Sequence, residues 1–243
     1  MKTLVIIPTY NEADSIVDII TSLIEQNICA DVLVVDDNSP DSTAMRVLSL
    51  NSPRIHLLLR ESKSGLGSAY RAGFQWALDS GLNFTHIVSM DGDGSHRSVD
   101  LARMLNSPGD LVLGTRWMEG GSTVNWPIYR QLLSRAGTKY AQLALRLPFD
   151  DLTGGFRVYS LEMLRKLNFN AITSEGYVFQ VEMVRAISTL TTSIVQVPIT
   201  FIERETGVSK MNRSIVIEAI VVITRWALRG RAGYNADKLH YVK

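Results

Sequence analysis

Short apolar, β-branched runs alternate with longer stretches of helical spacing along the first half of the chain. Leu4 to Ile7, Val32 to Val35, Ile55 to Leu59, His86 to Met90 and Leu111 to Gly114 read as strands. The helix after the first strand is expected to begin near Asn11, a residue type favoured at N-caps, with apolar spacing through Ile16, Ile19, Ile20 and Leu23. This alternation predicts an α/β fold, a mostly parallel sheet flanked by helices. Further on, Val195 to Ile202 reads as a strand. Ile128 to Leu147 reads as a helix whose apolar stripe runs Ile128, Leu132, Ala136, Tyr140, Leu143 and Leu147, with Arg130, Arg135, Lys139 and Arg146 elsewhere around it. A last helical pattern, Ser214 to Arg229, carries Trp226 among Arg225, Arg229 and Arg231. Gly120, Gly121 and Ser122 form the only flexible-looking stretch in the middle of the chain. No linker divides it, so the expected organisation is one domain, 1–212, with a C-terminal amphipathic helix and tail, 213–243.

At 243 residues the chain is long enough for one large α/β domain with a complete core. Its net charge of +1 advertises no global field for nucleic acid, so no nucleic-acid partner is expected and any basic function must be local. The single cysteine, Cys29, excludes an intrachain disulfide and fits a reducing compartment. The opening MKTLVIIP has no signal-peptide layout, and its apolar run is far too short to span a bilayer.

The fourth strand ends abruptly in Asp91-Gly92-Asp93-Gly94. Side chains at i and i+2 lie on one side of an extended chain, so the two carboxylates can converge on one point. Two hard oxygen ligands there suit Mg²⁺ or Mn²⁺, and the glycines allow a bulky anion close to the backbone. An isolated D-x-D is more often an acidic turn; here the other strand ends join it. Strand one ends in Pro8-Thr9-Tyr10-Asn11-Glu12 and strand two in Asp36-Asp37, so three polar edges face the crevice where open α/β sheets bind ligands. Asp37 reads as a ligand contact, Asp41 as a helix cap. A Rossmann dinucleotide site is excluded because no glycine fingerprint follows the first strand, and no phosphate-binding P-loop is present. Gly65, Gly67 and Gly73 read as turn and packing positions. The Asp36-Asp37 pair follows strand two, which argues against a phospho-receiver domain.

IIPTYNE, VVDDNSPDST, MDGDGSH, GTRW, NWPIYRQLLSR, DLTGGFRVY, GYVFQVEM and VPITFIERETGVSKM, in that order, resemble the family 2 glycosyltransferases with their GT-A-like fold. Within them the chain is similar to the bacterial type of polyprenol (dolichol) phosphate mannosyltransferase, from Thr3 to about Gly230. The first three motifs imply only a nucleotide sugar; NWPIYRQLLSR and ERETGVSK are more specific to a lipid-phosphate acceptor. The resemblance implies donor binding by Pro8, Tyr10, Glu12, Val35 and Asp37, with Arg204 and Lys210, and diphosphate and metal contacts by Asp91, Gly92 and Asp93. Ser95 stands where some relatives have a metal-binding glutamine. Arg116, Arg130 and Ser134 would hold the acceptor phosphate, with Arg116, Arg130, Asp91 and Asp93 as the catalytic set.

Charge alone calls for such cations. Two unit charges ~5 Å apart at an effective dielectric of ~20 repel by roughly 3 kcal/mol, so a metal and arginines must offset a diphosphate meeting a phosphate. Arg130 and Ser134, at i and i+4, share a helix face and could grip one phosphate together. Arg204 and Lys210 lie in a polar, glycine-containing segment suited to closing on ligand. A phosphate acceptor is already anionic and needs no general base, and none of the four histidines has a spacing that demands one; His96, beside the metal motif, is the only candidate. Glu175, Gln180 and Glu182 are candidates for the sugar or acceptor site.

The Ser214–Arg229 pattern is ~24 Å long against a ~30 Å hydrocarbon core, so the expected membrane contact is peripheral. It and the Ile128–Leu147 helix are the candidates to rest at the interface. The expectation is an inverting, metal-dependent transfer of mannose from GDP-mannose to a polyprenyl phosphate at the cytoplasmic face of a membrane. An integral-membrane partner protein is among the partners the resemblance admits. The rivals are a glucosyltransferase using UDP-glucose and a non-catalytic nucleotide-sugar-binding subunit.

Overall fold

The computed structural model describes residues 1–28, 31–203 and 213–229, the last segment with side chains from 216 to 228. In chain order the elements are β1 (Thr3–Thr9), α1 (Ile16–Glu25), β2 (Asp31–Asp36), α2 (Thr43–Ser49), β3 (Ile55–Leu59), α3 (Leu66–Asp79), β4 (His86–Ser89), α4 (Ser98–Leu105) and β5 (Leu111–Thr115). There follow β6 (Ser122–Val124), α5 (Ile128–Leu145), β7 (Arg157–Ser160), α6 (Leu161–Lys166), α7 (Gly176–Ile187), β8 (Ile194–Pro198), β9 (Thr200–Ile202) and α8 (Arg213–Arg229).

Seven strands form one sheet in the order β3-β2-β1-β4-β7-β5-β8. β1 pairs in parallel with β2 on one side and β4 on the other, so the strand order reverses at β1. The crevice above β1 and its neighbours is therefore a topological switch point, the place where such sheets bind ligands. One core layer (Leu4, Ile6, Leu33, Val35, Phe74, Ile87) packs against α3 and α7; the other (Val5, Ile7, Val32, Val34, Val88) packs against α1 and α4. Alternate residues of the same strands supply the two layers, as the pleat dictates.

Five details depart from the sequence reading. The first helix begins at Ile16, not near Asn11. Asn11 sits in the left-handed region at φ 60°, where asparagine is tolerated, and turns the chain instead of capping it. β7 is a strand the apolar pattern does not announce, because Arg157 occupies its start. That guanidinium is buried and satisfied by the carbonyls of Gln180, Gly154 and Leu152. β7 runs antiparallel between β4 and β5. The expected strand Val195–Ile202 is split at Ile199: β8 stays in the main sheet, while β9 leaves to pair in parallel with β6. β6 itself starts at Ser122, the end of the stretch that looked flexible. α5 stops at Leu145, with Arg146 in the left-handed region at φ 55°.

α5 is inverted with respect to an ordinary surface helix. Its buried face is Arg130, Ser134, Thr138 and Ala141, while Ile128, Leu132 and Leu143 are 74%, 62% and 69% exposed. α8 packs beside it: the Tyr140 and Thr224 hydroxyls are 2.5 Å apart, Ile223 enters the core, and Trp226 packs against it. Ile217, Ile220, Val221 and Leu228 of α8 are exposed as well. Among the described residues no helix is long and apolar enough to cross a membrane.

Candidate active site

The crevice is built from the ends of β1, β2 and β4, tied together by side chains that do not themselves reach into it. Asp36 is fully buried; its carboxylate accepts from the Thr9 hydroxyl (2.7 Å) and from the Ser39 hydroxyl and amide (2.6 and 2.8 Å). Asp41 accepts from Ala13 N–H at 3.0 Å and from Thr43 N–H at 3.1 Å, so it caps the start of α2 and ties down the 11–13 turn, as expected for a cap. Asp37 accepts from Ser64 N–H at 3.2 Å and lies 2.9 Å from the Arg60 guanidinium. Burial pushes its carboxyl up, against the pull of Arg60. Lys63 sits 4.0 Å over the Tyr10 ring at the same edge.

Val35 does not reach the crevice. Its side chain lies in the core, where a Cβ on Gly73 would meet it at 3.2 Å, and only its backbone borders Pro8. Gly73 is thus a packing glycine, as read from the sequence. Gly65, at φ 95°, is a turn position.

The Asp91–Asp93 loop is held from three sides. Ser15, at the N-cap of α1, makes no capping bond; its hydroxyl donates to the Gly92 carbonyl at 2.6 Å. Gly92 is closely packed, since a Cβ there would lie 3.1 Å from Ile7 and 3.3 Å from Thr9. The Asp91 amide donates to His96 Nδ1 at 3.2 Å. An accepting Nδ1 fixes the Nε2–H tautomer, and Nε2 lies 3.8 Å from Asp91 Oδ2. Burial lowers the His96 pKa, against the pull of Asp91 and Asp93, so the ring stays neutral. His96 therefore orients the Asp91 loop, a positioning role in place of a general base.

The Ser95 amide and hydroxyl both donate to Asp93 Oδ1, so the buried hydroxyl shapes the Asp93 turn. Asp91 and Asp93 supply the carboxylate oxygens, Asp91 with a third of its side chain exposed. Among the described residues no third His, Cys, Asp or Glu completes a metal cluster. Two carboxylates that leave further positions to phosphate oxygens and water form the ligand set Mg²⁺ takes, so the residues fit a divalent cation carried with a diphosphate.

Aromatic rings lead from this loop to the arginines. His96 stacks on Phe156 (4.4 Å between centroids) and meets Phe201 edge-on; Phe201 packs on Trp126, and Trp126 stacks on Trp117. The Trp126 ring carries both guanidinium groups, Arg116 at 5.1 Å and Arg130 at 5.3 Å.

Both arginines are already paired. Arg116 donates to the Asp151 carboxylate through Nε (2.6 Å) and Nη2 (2.9 Å), and Nη2 also reaches the Thr153 hydroxyl at 3.0 Å. Burial pushes the Asp151 carboxyl up, but Arg116 outweighs it and holds it below the ordinary range. Ser134 shares a hydrogen bond with Thr153 at 3.0 Å and accepts from Arg116 at 3.3 Å. Arg130 pairs with Glu203 Oε1 through Nη1; its Nε and the second Glu203 oxygen are buried without partners. Arg130 and Ser134 do share the inward face of α5, but in this state they grip protein groups separately. Arg204 and Lys210 lie outside the described residues.

Asp151, Thr153 and Glu203 were missed as site residues. The Asp-x-Thr-Gly pattern was a usable signal, since an aspartate followed two residues later by threonine builds a local turn. Nothing in the spacing announced Glu203. Glu175 is structural: it accepts from Ser68 N–H and Arg71, joining α3 to α7. Glu182 accepts from Ser174 N–H at 2.9 Å and burial raises its pKa.

Residues 4–167 match the family model "Glycosyl transferase family 2". The chain is 46% identical over 235 residues to an undecaprenyl-phosphate mannosyltransferase of Micrococcus luteus, covering 95% of this chain and 96% of that one. It is 43% identical over 237 residues to a polyprenol monophosphomannose synthase of Mycolicibacterium smegmatis, covering 95% and 88%. Among solved structures it resembles glucosyl-3-phosphoglycerate synthase from Mycobacterium tuberculosis in complex with Mn²⁺, UDP and phosphoglyceric acid, with a TM-score of 0.66 at 16% identity, covering 96% of this chain and 78% of that one. A structure of the same enzyme with Mg²⁺ and UDP gives a TM-score of 0.63 at 17% identity, covering 96% and 79%. At these identities the likeness is one of GT-A-like fold. On the family match and the two relatives together, the chain belongs to glycosyl transferase family 2.

Proposed function

We propose that this protein transfers mannose from GDP-mannose to a polyprenyl phosphate, giving the mannosyl phospholipid and GDP with inversion at the sugar. The observation that carries the lipid-phosphate part is the inverted helix α5: its inward face presents Arg130 and Ser134, and its outward face presents Ile128, Leu132 and Leu143. A headgroup can then meet the guanidinium while its chain stays with other apolar groups. The names of the two relatives, a mannosyltransferase and a phosphomannose synthase acting on polyprenyl phosphates, support the same donor sugar and acceptor class.

In the reaction an acceptor phosphate oxygen bonds to the sugar C1 as the bond from C1 to the diphosphate oxygen breaks, its electron pair leaving with GDP. Attack opposite the leaving group inverts C1, and no proton has to be removed first. Mg²⁺ or Mn²⁺, held by Asp91 and Asp93, would offset charge on the departing diphosphate. Ser15 and His96 hold the loop backbone and Ser95 holds the Asp93 carboxylate in advance, so little reorganisation is left to the reaction itself. Arg130 would take the acceptor phosphate by exchanging Glu203 for it, while Arg116 and Asp151 hold Ser134 and Thr153 beside it.

The exposed faces of α5 and α8 would lie on the membrane, with Arg135, Lys139 and Arg225 around them suiting an anionic lipid surface. Acceptor choice tests the reading. Radiolabel from GDP-mannose should enter the organic phase with polyprenyl phosphate and not with the parent polyprenol; equal use of both would remove the phosphate from the acceptor site.

A further inference from the structure

Gln180, on α7, is the side chain that the site so far described leaves without a task. It is 1% exposed, and neither its amide nitrogen nor its amide oxygen has a hydrogen-bond partner among the described residues. Its own backbone is engaged elsewhere, the carbonyl accepting from Arg157 at 2.6 Å. A buried primary amide with both ends unmet is costly, and such groups normally find partners.

The orphaned amide borders the Asp91 carboxylate. The position a Cβ on Gly155 would occupy is 3.3 Å from Asp91 Oδ1 and 3.4 Å from Gln180 Nε2. Gly155 has no side chain to fill that gap, and its carbonyl is pinned by the Ser89 hydroxyl at 2.6 Å, which holds the backbone there. Tyr70 and Tyr159 also bury unpartnered hydroxyls, but each is one group, whereas Gln180 leaves both a donor and an acceptor unmet beside a carboxylate one-third exposed.

The chemistry of the amide selects its ligand. A phosphate offers only acceptors, which would satisfy Nε2 and leave Oε1 facing another oxygen. A sugar diol offers donor and acceptor together and can satisfy both ends. We propose that Gln180 reads the hexose hydroxyls of the donor, contacting the sugar and neither the nucleotide nor the acceptor phosphate, and so sets donor-sugar specificity. This rests on the reading of the protein as a nucleotide-sugar transferase.

The test is calorimetric binding of GDP and of GDP-mannose, with Mg²⁺, to the full chain and to Gln180→Met, which keeps the volume and removes the amide. The expected result is GDP-mannose binding weakened about 10-fold or more, for two hydrogen bonds lost from a buried site, with GDP binding within about twofold of the unsubstituted protein. If GDP and GDP-mannose weaken equally, or neither changes, Gln180 is a structural residue and the proposal is overturned. Should the unsubstituted protein bind UDP-glucose in place of GDP-mannose, the mannose reading fails by itself, and the same split between UDP and UDP-glucose still decides the role of Gln180.

Discussion

Arg116 and Asp151 form a buried, two-bonded ion pair at 2.6 and 2.9 Å, and Asp151 also accepts the Thr153 and Gly154 amides at 3.2 and 3.1 Å. The charge of Arg116 is therefore committed to the fold, and it acts on the site by fixing Ser134 and Thr153. Asp151→Ala would leave a buried guanidinium uncompensated and should destabilise the protein by about 3–5 kcal/mol in urea unfolding. A loss below about 1 kcal/mol would mean the pair is not buried in solution.

Acid should act through the same kind of pair. Burial pushes Asp100 up, but Arg97, the Thr200 amide and Arg103 outweigh it and hold its carboxyl below the ordinary range, as Arg116 does for Asp151. Each then binds a proton less tightly folded than unfolded. Their stabilisation is complete above the unfolded carboxyl pKa of about 3.9 and is lost as pH falls through the folded value. Unfolding free energy should thus fall steeply below about pH 4, and Asp100→Asn should flatten that slope while lowering stability at pH 7.

Asp93→Ala should reduce transfer by at least about 100-fold while leaving the fold intact, because Asp93 lies in the loop at the crevice edge, outside both core layers. Circular dichroism and the transfer rate check the two halves. Activity near that of the unsubstituted protein would remove the divalent cation from the mechanism.

Arg130→Ala should raise the KM for polyprenyl phosphate about 10-fold or more and change that for GDP-mannose little. Equal effects on both substrates would move the acceptor site elsewhere. Glu203→Gln should lower the acceptor KM, since the phosphate no longer displaces a carboxylate from Arg130.

Leu132→Glu with Leu143→Glu changes two exposed positions on α5. Sedimentation with vesicles of anionic phospholipid should fall at least about 10-fold while the unfolding midpoint in urea barely moves. Unchanged vesicle binding would exclude this face as the membrane contact.

The alternating apolar runs made β1 to β5 and the crevice at their ends legible, because buried parallel strands leave a strong hydrophobic signal. They could not reveal β7, whose Arg157 is accommodated in the core by three carbonyls, two from the turn just before it and one from Gln180 on α7. The Asp91/Asp93 pair was legible from its spacing, and Arg130 with Ser134 from helical period. Of the partners that change their meaning, His96 lies five residues from Asp91 and Asp151 carries a local turn signal, whereas Ser15 and Glu203 arrive through tertiary contacts that no local pattern encodes. The stripe on α5 was also legible as a stripe, but which face points inward depended on the polar groups waiting for Arg130 and Ser134.

Transfer from competing donors tests the central claim most directly. Purified protein with Mg²⁺ or Mn²⁺ and polyprenyl phosphate would be given radiolabelled GDP-mannose or radiolabelled UDP-glucose, and the labelled lipid counted. The account predicts label in the lipid from GDP-mannose alone, lost when the cation is chelated. Label from UDP-glucose alone would contradict the donor, and tight nucleotide binding without transfer from either would contradict the assignment of this protein as an enzyme.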